Sequence, residues 1–263
     1  MKVIDWTELA SQRSNRRAAV TLGVFDGVHR GHRRLIDSVV RSDYPVVVTF
    51  RTPPAQWLFP DSFPGRLMSL DQRLEMFNAL GIELAVLIEF DDEFASIPGD
   101  RFLDALESSL EIDLISIGWN FRCGRRNDTS ATDIRERFGS HRVLIHDPVL
   151  VDDLPVSSTR LRTLVLDGRY DEFQRLAGHD YVLDVRNEER AITGNCMRVP
   201  LDDRGRLQAS TQLVGPVGFD AYGVGRRAHM IDVVVTPQYL EWPLVDNDMI
   251  DYIVVKEQRE KEN

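Results

Sequence analysis

Cysteine is nearly absent from this chain. Cys123 and Cys196 stand alone in 263 residues, without metal-ligand spacing. Two distant thiols argue for a reducing compartment and against a disulfide framework. Basic residues are in the minority, 32 against 42 acidic, for a formal net charge of −10. A deficit of that size argues against a broad nucleic-acid-binding surface, though it leaves room for a local basic site that takes an anionic small molecule. No apolar run approaches the length of a membrane span. The N-terminal stretch MKVIDWTELASQRS is too polar for a signal peptide. Internal repeats and low-complexity segments are missing as well. The expectation is a cytoplasmic protein with no membrane or nucleic-acid partner. Its length suits one large domain or two ordinary ones. Its 43% hydrophobic content is that of a chain with a normal buried core.

The first two-thirds alternate between two periodicities. Apolar runs at 18–25 (AAVTLGVF), 44–50 (YPVVVTF), 84–90 (LAVLIEF), 113–119 (DLISIGW) and 142–150 (RVLIHDPVL) predict strands covered on both faces. Segments 32–41, 69–81, 100–110 and 132–138 predict helices between them. In the second of these, Leu70, Leu74, Phe77 and Leu80 share one face, Ser69 is placed to cap the start, and Gly81 to stop it. This alternation predicts an α/β fold with a doubly wound parallel sheet, whose ligands bind beyond the carboxyl ends of the strands where strand order reverses. The helical period is lost near Gly178. Short β-like runs follow, namely YVLDV, AITGNCMRV, RLQAS, HMIDVVV and DYIVV. Asp203-Arg204-Gly205 and Gly215-Pro216 are turn signals between them, and the charged tail KEQREKEN is expected to fray. A second, smaller β-rich domain, a barrel or sandwich, is predicted over this part.

The richest stretch is VTLGVFDGVHRGHRR at 20–34, where the first strand gives way to a helix. Backbone N–H groups that open a helix lack internal partners, and the helix dipole favours anions there. Gly23, Gly27 and Gly31 permit tight turns and close approach of the main chain to a ligand. His29 and His32 can donate hydrogen bonds to phosphate oxygens, so the stretch reads as a phosphate site. Taken in isolation, H-x-G-H also fits two surface histidines near a turn. Residues 156–162, VSSTRLR, form a second candidate. Ser157 or Ser158 can cap a helix, and Arg162 follows about one turn in. Alone, this too is compatible with an ordinary capped helix carrying surface arginines.

Together, GVFDGVHRGH and VSSTRLR resemble the HxGH and ISSTxxR motifs of the nucleotidyltransferase superfamily. The F-D-G-V-H-x-G-H version resembles the adenylyltransferase domain of the prokaryotic bifunctional riboflavin kinase/FAD synthetase family. VVVTFRTPP, the segment at 65–102 with its F-D-x-x-F-A signature, and GWNFRCGRR at 118–126 are similar to that family's segments in the same order. The resemblance runs from about residue 15 to 180. It implies a Rossmann-like nucleotidyltransferase domain over 1–180 and transfer of AMP from ATP, carried with Mg²⁺, to FMN. By the same resemblance, His29, His32 and Arg162 carry catalysis. Gly23, Phe25, Asp26, Gly27, Gly31, Ser157, Ser158 and Thr159 hold ATP, and Phe50, Asn120, Phe121 and Arg122 lie near FMN.

Departures cluster where substrates are expected. Val24 stands where the family usually has asparagine, Thr52-Pro53-Pro54 lacks the histidine of P-H-P, and Cys123 replaces the second phenylalanine of F-x-F-G. After Tyr181 nothing matches the glycine-rich start and G-F-P-T-A-N motif of the family's kinase barrel. Residues 181–263 are therefore expected to be a reduced barrel, a relic without riboflavin kinase activity. Two other readings stay open: a nucleotidyltransferase for another phosphorylated acceptor, and a non-catalytic flavin- or nucleotide-binding regulator. His141 and His146 read as structural or surface groups. Asp91, Asp92 and Glu93 read as a solvated loop rather than a metal site. Trp57 and Phe59 read as packing within a hydrophobic loop, or as cover for an aromatic ligand, and Arg125 and Arg126 as exposed residues or phosphate contacts.

Overall fold

The computed structural model describes residues 1–11, 16–215, 220–225, 230–244 and 249–256. The predicted strands become β2 (Arg17–Leu22), β3 (Tyr44–Phe50), β4 (Leu84–Ile88), β5 (Glu111–Gly118) and β6 (Val143–His146), preceded by an unexpected β1 (Lys2–Asp5). They form one six-stranded sheet in the order β1-β4-β3-β2-β5-β6. Every pairing in it is parallel. The longer helices are α1 (Arg30–Val39), α2 (Leu70–Ala79), α3 (Gly99–Ser109), α4 (Ala131–Phe138), α5 (Ser158–Leu166) and α6 (Tyr170–Ala177).

Both faces of the sheet are covered, as parallel strands require. Alternate residues Ala18, Val20 and Leu22 of β2 join Val46, Val48, Val86, Phe102, Leu106 and Ile134 in one core cluster. Ala19 and Thr21 point to the opposite face and are equally inaccessible. On α1, Leu35, Ile36 and Val39 are buried, at i, i+1 and i+4. Fully burying such side chains contributes about 1.5–3 kcal/mol each. The predicted face of α2 is corrected. Gln72, Arg73 and Phe77 are its buried residues, whereas Leu70, Leu74 and Leu80 are only half-buried. An arginine thus occupies a core position that a leucine pattern would assign elsewhere. The helix ends follow expectation. Ser69 Oγ accepts from the Gln72 N–H, and Gln72 Oε1 accepts from the Ser69 N–H. Gly81, at φ 94°, ends the segment.

By its contacts the chain forms two compact units: Met1–Phe63 with Arg73–Pro155, and Pro64–Gln72 with the residues from Val156 onward. In the second unit α5 and α6 precede an antiparallel β-rich segment. Tyr170, Phe173, Leu176 and Ala177 form the buried side of α6. The Tyr170 ring stacks on Tyr181, with centroids 6.0 Å apart. Strands β7 (Tyr181–Asp184), β8 (Ala191–Thr193), β9 (Cys196–Pro200), β10 (Asp220–Gly225), β11 (Met230–Asp232), β12 (Val234–Val235), β13 (Tyr239–Pro243) and β14 (Ile250–Lys256) follow. They make two four-stranded sheets, β7-β14-β10-β11 and β8-β9-β13-β12. The segment Pro64–Gln72 is tied into this unit. Ser69 Oγ donates to Asp184 Oδ2 at 2.6 Å, and the Gln212 amide donates to Leu67 O at 3.0 Å. The run RLQAS is not a strand. It lies in turns, with Arg206 and Leu207 in isolated bridges to Leu213 and Leu201. Pro216 of the predicted Gly-Pro turn and residues 257–263 of the tail lie outside the described residues.

Candidate functional site

Strand order reverses at β2. From there the sheet runs through β3 and β4 on one side and through β5 and β6 on the other. The crevice beyond the carboxyl ends of β2 and β5 is therefore the switch point of the sheet, where such folds bind ligands. The turn leaving β2 holds Gly23, Phe25, Asp26, Gly27 and His29, and Gly31 and His32 follow in the first turn of α1. The turn leaving β5 holds Asn120, Phe121 and Arg122. Two stretches singled out in the sequence thus meet at one edge of one sheet.

The first turn is tightly wound. Phe25 (φ 54°), Gly27 (φ 87°) and Val28 (φ 29°) all have positive φ. For phenylalanine and valine this is strained backbone, of the kind that concentrates at functional sites when the surroundings hold it. The surroundings do so here. The Phe25 ring is fully buried and meets His32 edge-on at 5.2 Å and Phe77 at 5.6 Å. A Cβ on Gly23 would lie 3.2 Å from the Phe25 ring, which explains a glycine at the strand exit. Asp26 and His29 are buried as well, at 2% and 5% exposure.

His29 caps α1. Its Nδ1 accepts from the His32 backbone N–H at 3.3 Å. In the neutral ring the proton then sits on Nε2, which is left as a donor. The two imidazoles stack, with centroids 3.6 Å apart and planes 14° from parallel. His32 keeps partial exposure, but its Nδ1 is buried without a hydrogen-bond partner. Burial, together with the positive charges of His29 and Arg73, holds the His32 imidazole well below its ordinary pKa. The site therefore offers a buried, neutral His32 ring at a helix start, an arrangement suited to a polyanion.

The second turn is sewn to α3. Asp128 Oδ1 accepts from the Gly99 N–H at 3.0 Å, and the Arg125 N–H donates to Ile97 O at 2.8 Å. Gly124 (φ 78°), Arg126 (φ 56°) and Asn127 (φ 58°) all have positive φ. Phe121 packs against the core cluster, while Asn120, Arg122, Arg125 and Arg126 are exposed. Burial pushes the Cys123 thiol up to about 12, so it stays protonated. Phe50 ends β3, and its ring is engaged with Phe90 at 5.8 Å and Phe94 at 6.1 Å.

Ser157, Ser158, Thr159 and Arg162 belong to the second unit. Ser157 is the N-cap of α5, its Oγ accepting from the Arg160 N–H at 3.2 Å. Arg162 Nε donates to Gly65 O at 2.9 Å. Elsewhere, Trp57 touches Phe90 but is 40% exposed, and Phe59 is 61% exposed, so the loop packing expected for them is not what the structure holds. Asp91 caps a short helical turn by accepting from the Phe94 N–H. His146 Nε2 lies 3.0 Å from Ser116 Oγ, inside the fold. Arg73 escaped the sequence reading. It is 1% exposed, and it donates to Val24 O, Thr49 Oγ1, Phe50 O and Arg51 O. Its only trace in the sequence is its spacing of four residues from Phe77 on one helix face.

Among the described residues, no helix is long and apolar enough to cross a membrane. A solved structure described as a macrolide-efflux protein from Streptococcus pneumoniae shares the fold, with a TM-score of 0.79 at 19% identity over 99% of this chain and 93% of that one. Among curated proteins, the bifunctional riboflavin kinase/FMN adenylyltransferase of Escherichia coli K12 is 24% identical over 86% of this chain and 75% of its own. The Buchnera aphidicola protein of the same description is 24% identical over 66% of this chain, and the match spans only 59% of the relative's length. A Listeria monocytogenes FAD synthetase is 25% identical over 73% of this chain and 80% of its own. The sequence model of the FAD synthetase family matches residues 11–160, which takes in the β2–α1 turn, the β5–α4 turn and the start of α5. The chain belongs to the FAD synthetase family.

Proposed function

We propose that this enzyme is an FMN adenylyltransferase, joining ATP and FMN into FAD with release of pyrophosphate. The observation that carries the proposal is the pair of stacked histidines at the start of α1, the helix that follows the strand where sheet order reverses. A phosphate oxygen of FMN attacks the α-phosphorus of ATP. The bond from that phosphorus to the bridging oxygen breaks, and the electron pair leaves with pyrophosphate. No covalent enzyme intermediate is required, so catalysis consists of positioning and charge stabilisation.

In this reading, His29 and His32 donate to the triphosphate as negative charge builds on the leaving group. Gly23, Phe25, Asp26, Gly27 and Gly31 shape the nucleotide pocket. Ser157, Ser158, Thr159 and Arg162 bind the β- and γ-phosphates and the departing pyrophosphate. Asn120, Phe121 and Arg122, with the end of β3 at Phe50, adjoin the flavin. Among the described residues, no three His, Cys, Asp or Glu side chains gather into a metal-holding group. Mg²⁺ would accompany ATP as part of the substrate and would supply positive charge at its phosphates. We further propose that residues 1–180 form the transferase domain and that the chain lacks riboflavin kinase activity. The support for that is the absence of a glycine-rich start and a G-F-P-T-A-N motif after Tyr181.

The test mixes purified protein with MgATP and FMN, and separately with MgATP and riboflavin, and separates the products by chromatography. FAD and pyrophosphate from FMN, with riboflavin unchanged, are expected. FMN produced from riboflavin would refute the kinase-less reading. Binding of FMN and ATP without turnover would overturn the transferase reading in favour of a regulator.

A further inference from the structure

Arg73 is the largest fully buried side chain among the described residues. Its guanidinium reaches the point where β2 and β3 end. Nη1 donates to Val24 O at 2.8 Å and to Thr49 Oγ1 at 3.2 Å. Nη2 donates to Phe50 O at 2.9 Å and to Arg51 O at 3.3 Å. Thr49 Oγ1 in turn donates to the same Val24 carbonyl at 3.1 Å, which closes a ring of three hydrogen bonds. Four residues further along α2, Phe77 packs on the Phe25 ring. Positions i and i+4 of one helix therefore grip the strained turn at two points, Arg73 through its backbone and Phe77 through its buried ring.

We propose that Arg73 is a positioning residue for adenylyl transfer: its guanidinium clamps the carbonyl ends of β2 and β3, holds the turn at residues 24–28 in shape, and sets a permanent positive charge behind His32. The proposal rests on the FMN adenylyltransferase reading for the reaction it serves, but not for the clamp itself. A planar guanidinium suits the task, because its fixed fork reaches two acceptors from each terminal nitrogen. A lysine ammonium presents three donors from one point. Burying a permanent charge is costly, and a core position that needed only volume would be filled by an apolar side chain. The charge also acts on the site electrostatically. The groups that act on His32 in this way are His29, on its own helix, and Arg73, on α2. Both oppose protonation of the ring, as burial does.

The test follows the His32 imidazole by NMR titration in ligand-free protein, and kcat for FAD formation, in Arg73→Met, Arg73→Lys and Thr49→Val. In Arg73→Met the His32 pKa is expected to rise from its wild-type position, and kcat to fall at least tenfold with the KM for FMN little changed. Arg73→Lys is expected to restore the His32 titration, because it keeps the charge, but only part of kcat, because it loses the fork. A wild-type titration in folded Arg73→Met, or kcat within twofold of wild type, would overturn the proposal. Should Arg73→Met fail to fold, Thr49→Val decides. It removes one link of the ring at nearly constant volume, and it should lower kcat while leaving the melting temperature close to wild type. Unchanged kcat in that variant would sink the clamp. The NMR arm needs no substrate, so a wild-type enzyme that makes no FAD would refute the reaction reading while His32 still reports on Arg73.

Discussion

The His29 and His32 rings lie face to face, 3.6 Å between centroids, and the backbone N–H of His32 donates to Nδ1 of His29. One contact thus joins three roles. His29 caps the helix, fixes its own tautomer and supports its neighbour.

Capping and catalysis separate by substitution. His29→Asn retains a side-chain acceptor for the helix start and should melt close to wild type. His29→Ala should lose about 1 kcal/mol of stability. Both should lose on the order of a hundredfold or more in rate, because both lack the Nε2 donor. Thermal denaturation alongside steady-state kinetics checks this, and a His29→Asn enzyme with near-wild-type turnover would contradict the donor role.

His32 also shapes the response to acid. Its folded-state pKa lies well below the ordinary 6.5, so in the acid range the unfolded chain binds a proton that the folded chain refuses. The stability tied to this group is present above pH 6.5 and is lost as pH falls from there toward the folded value. His146 is lowered by burial in the same direction and adds to the slope. Replacing His32 by Phe should flatten, without abolishing, the fall in melting temperature on the acid side. An unaltered slope would count against a buried neutral ring.

Gly124 guards the other side of the crevice. A Cβ there would stand 2.2 Å from Asp128 Oδ1 and 2.3 Å from the Gly99 nitrogen, at φ +78°. Gly124→Ala should cost roughly 1–3 kcal/mol. It should also raise the KM for FMN more than that for ATP, because Asn120, Phe121 and Arg122 ride on the same loop. Equal changes in both constants would separate this loop from the flavin.

Arg162 is proposed to hold pyrophosphate. Arg162→Met should lower kcat/KM for ATP on the order of a hundredfold. It should weaken product inhibition by pyrophosphate in parallel, and inhibition at the wild-type level would remove Arg162 from the phosphate site.

Much of this architecture was legible in the sequence. Valine-rich runs such as 44–50 could only be strands covered on both faces, and Ser69 and Gly81 marked the ends of α2. The stretch at 20–34 stood out as a candidate site because glycines and histidines met at a strand-to-helix junction. Strand β1 went unread because KVID is four residues long and polar at both ends, at the edge of the sheet. The run RLQAS alternates like a strand, yet Asp202 turns the chain there by accepting from the Arg204 and Arg206 backbone N–H groups. Arg73 was invisible for another reason. Nothing in a helical pattern distinguishes an arginine that snorkels to solvent from one that meets the open carbonyls of two strand ends.

The central claim is adenylyl transfer to FMN, and isotope tracing tests it most directly. With ATP labelled at the α-phosphorus, the account predicts label in FAD and none in pyrophosphate. With ATP labelled at the γ-phosphorus, it predicts label in pyrophosphate alone. Label from the γ-phosphorus in a flavin product, or no labelled flavin from either substrate, would contradict it.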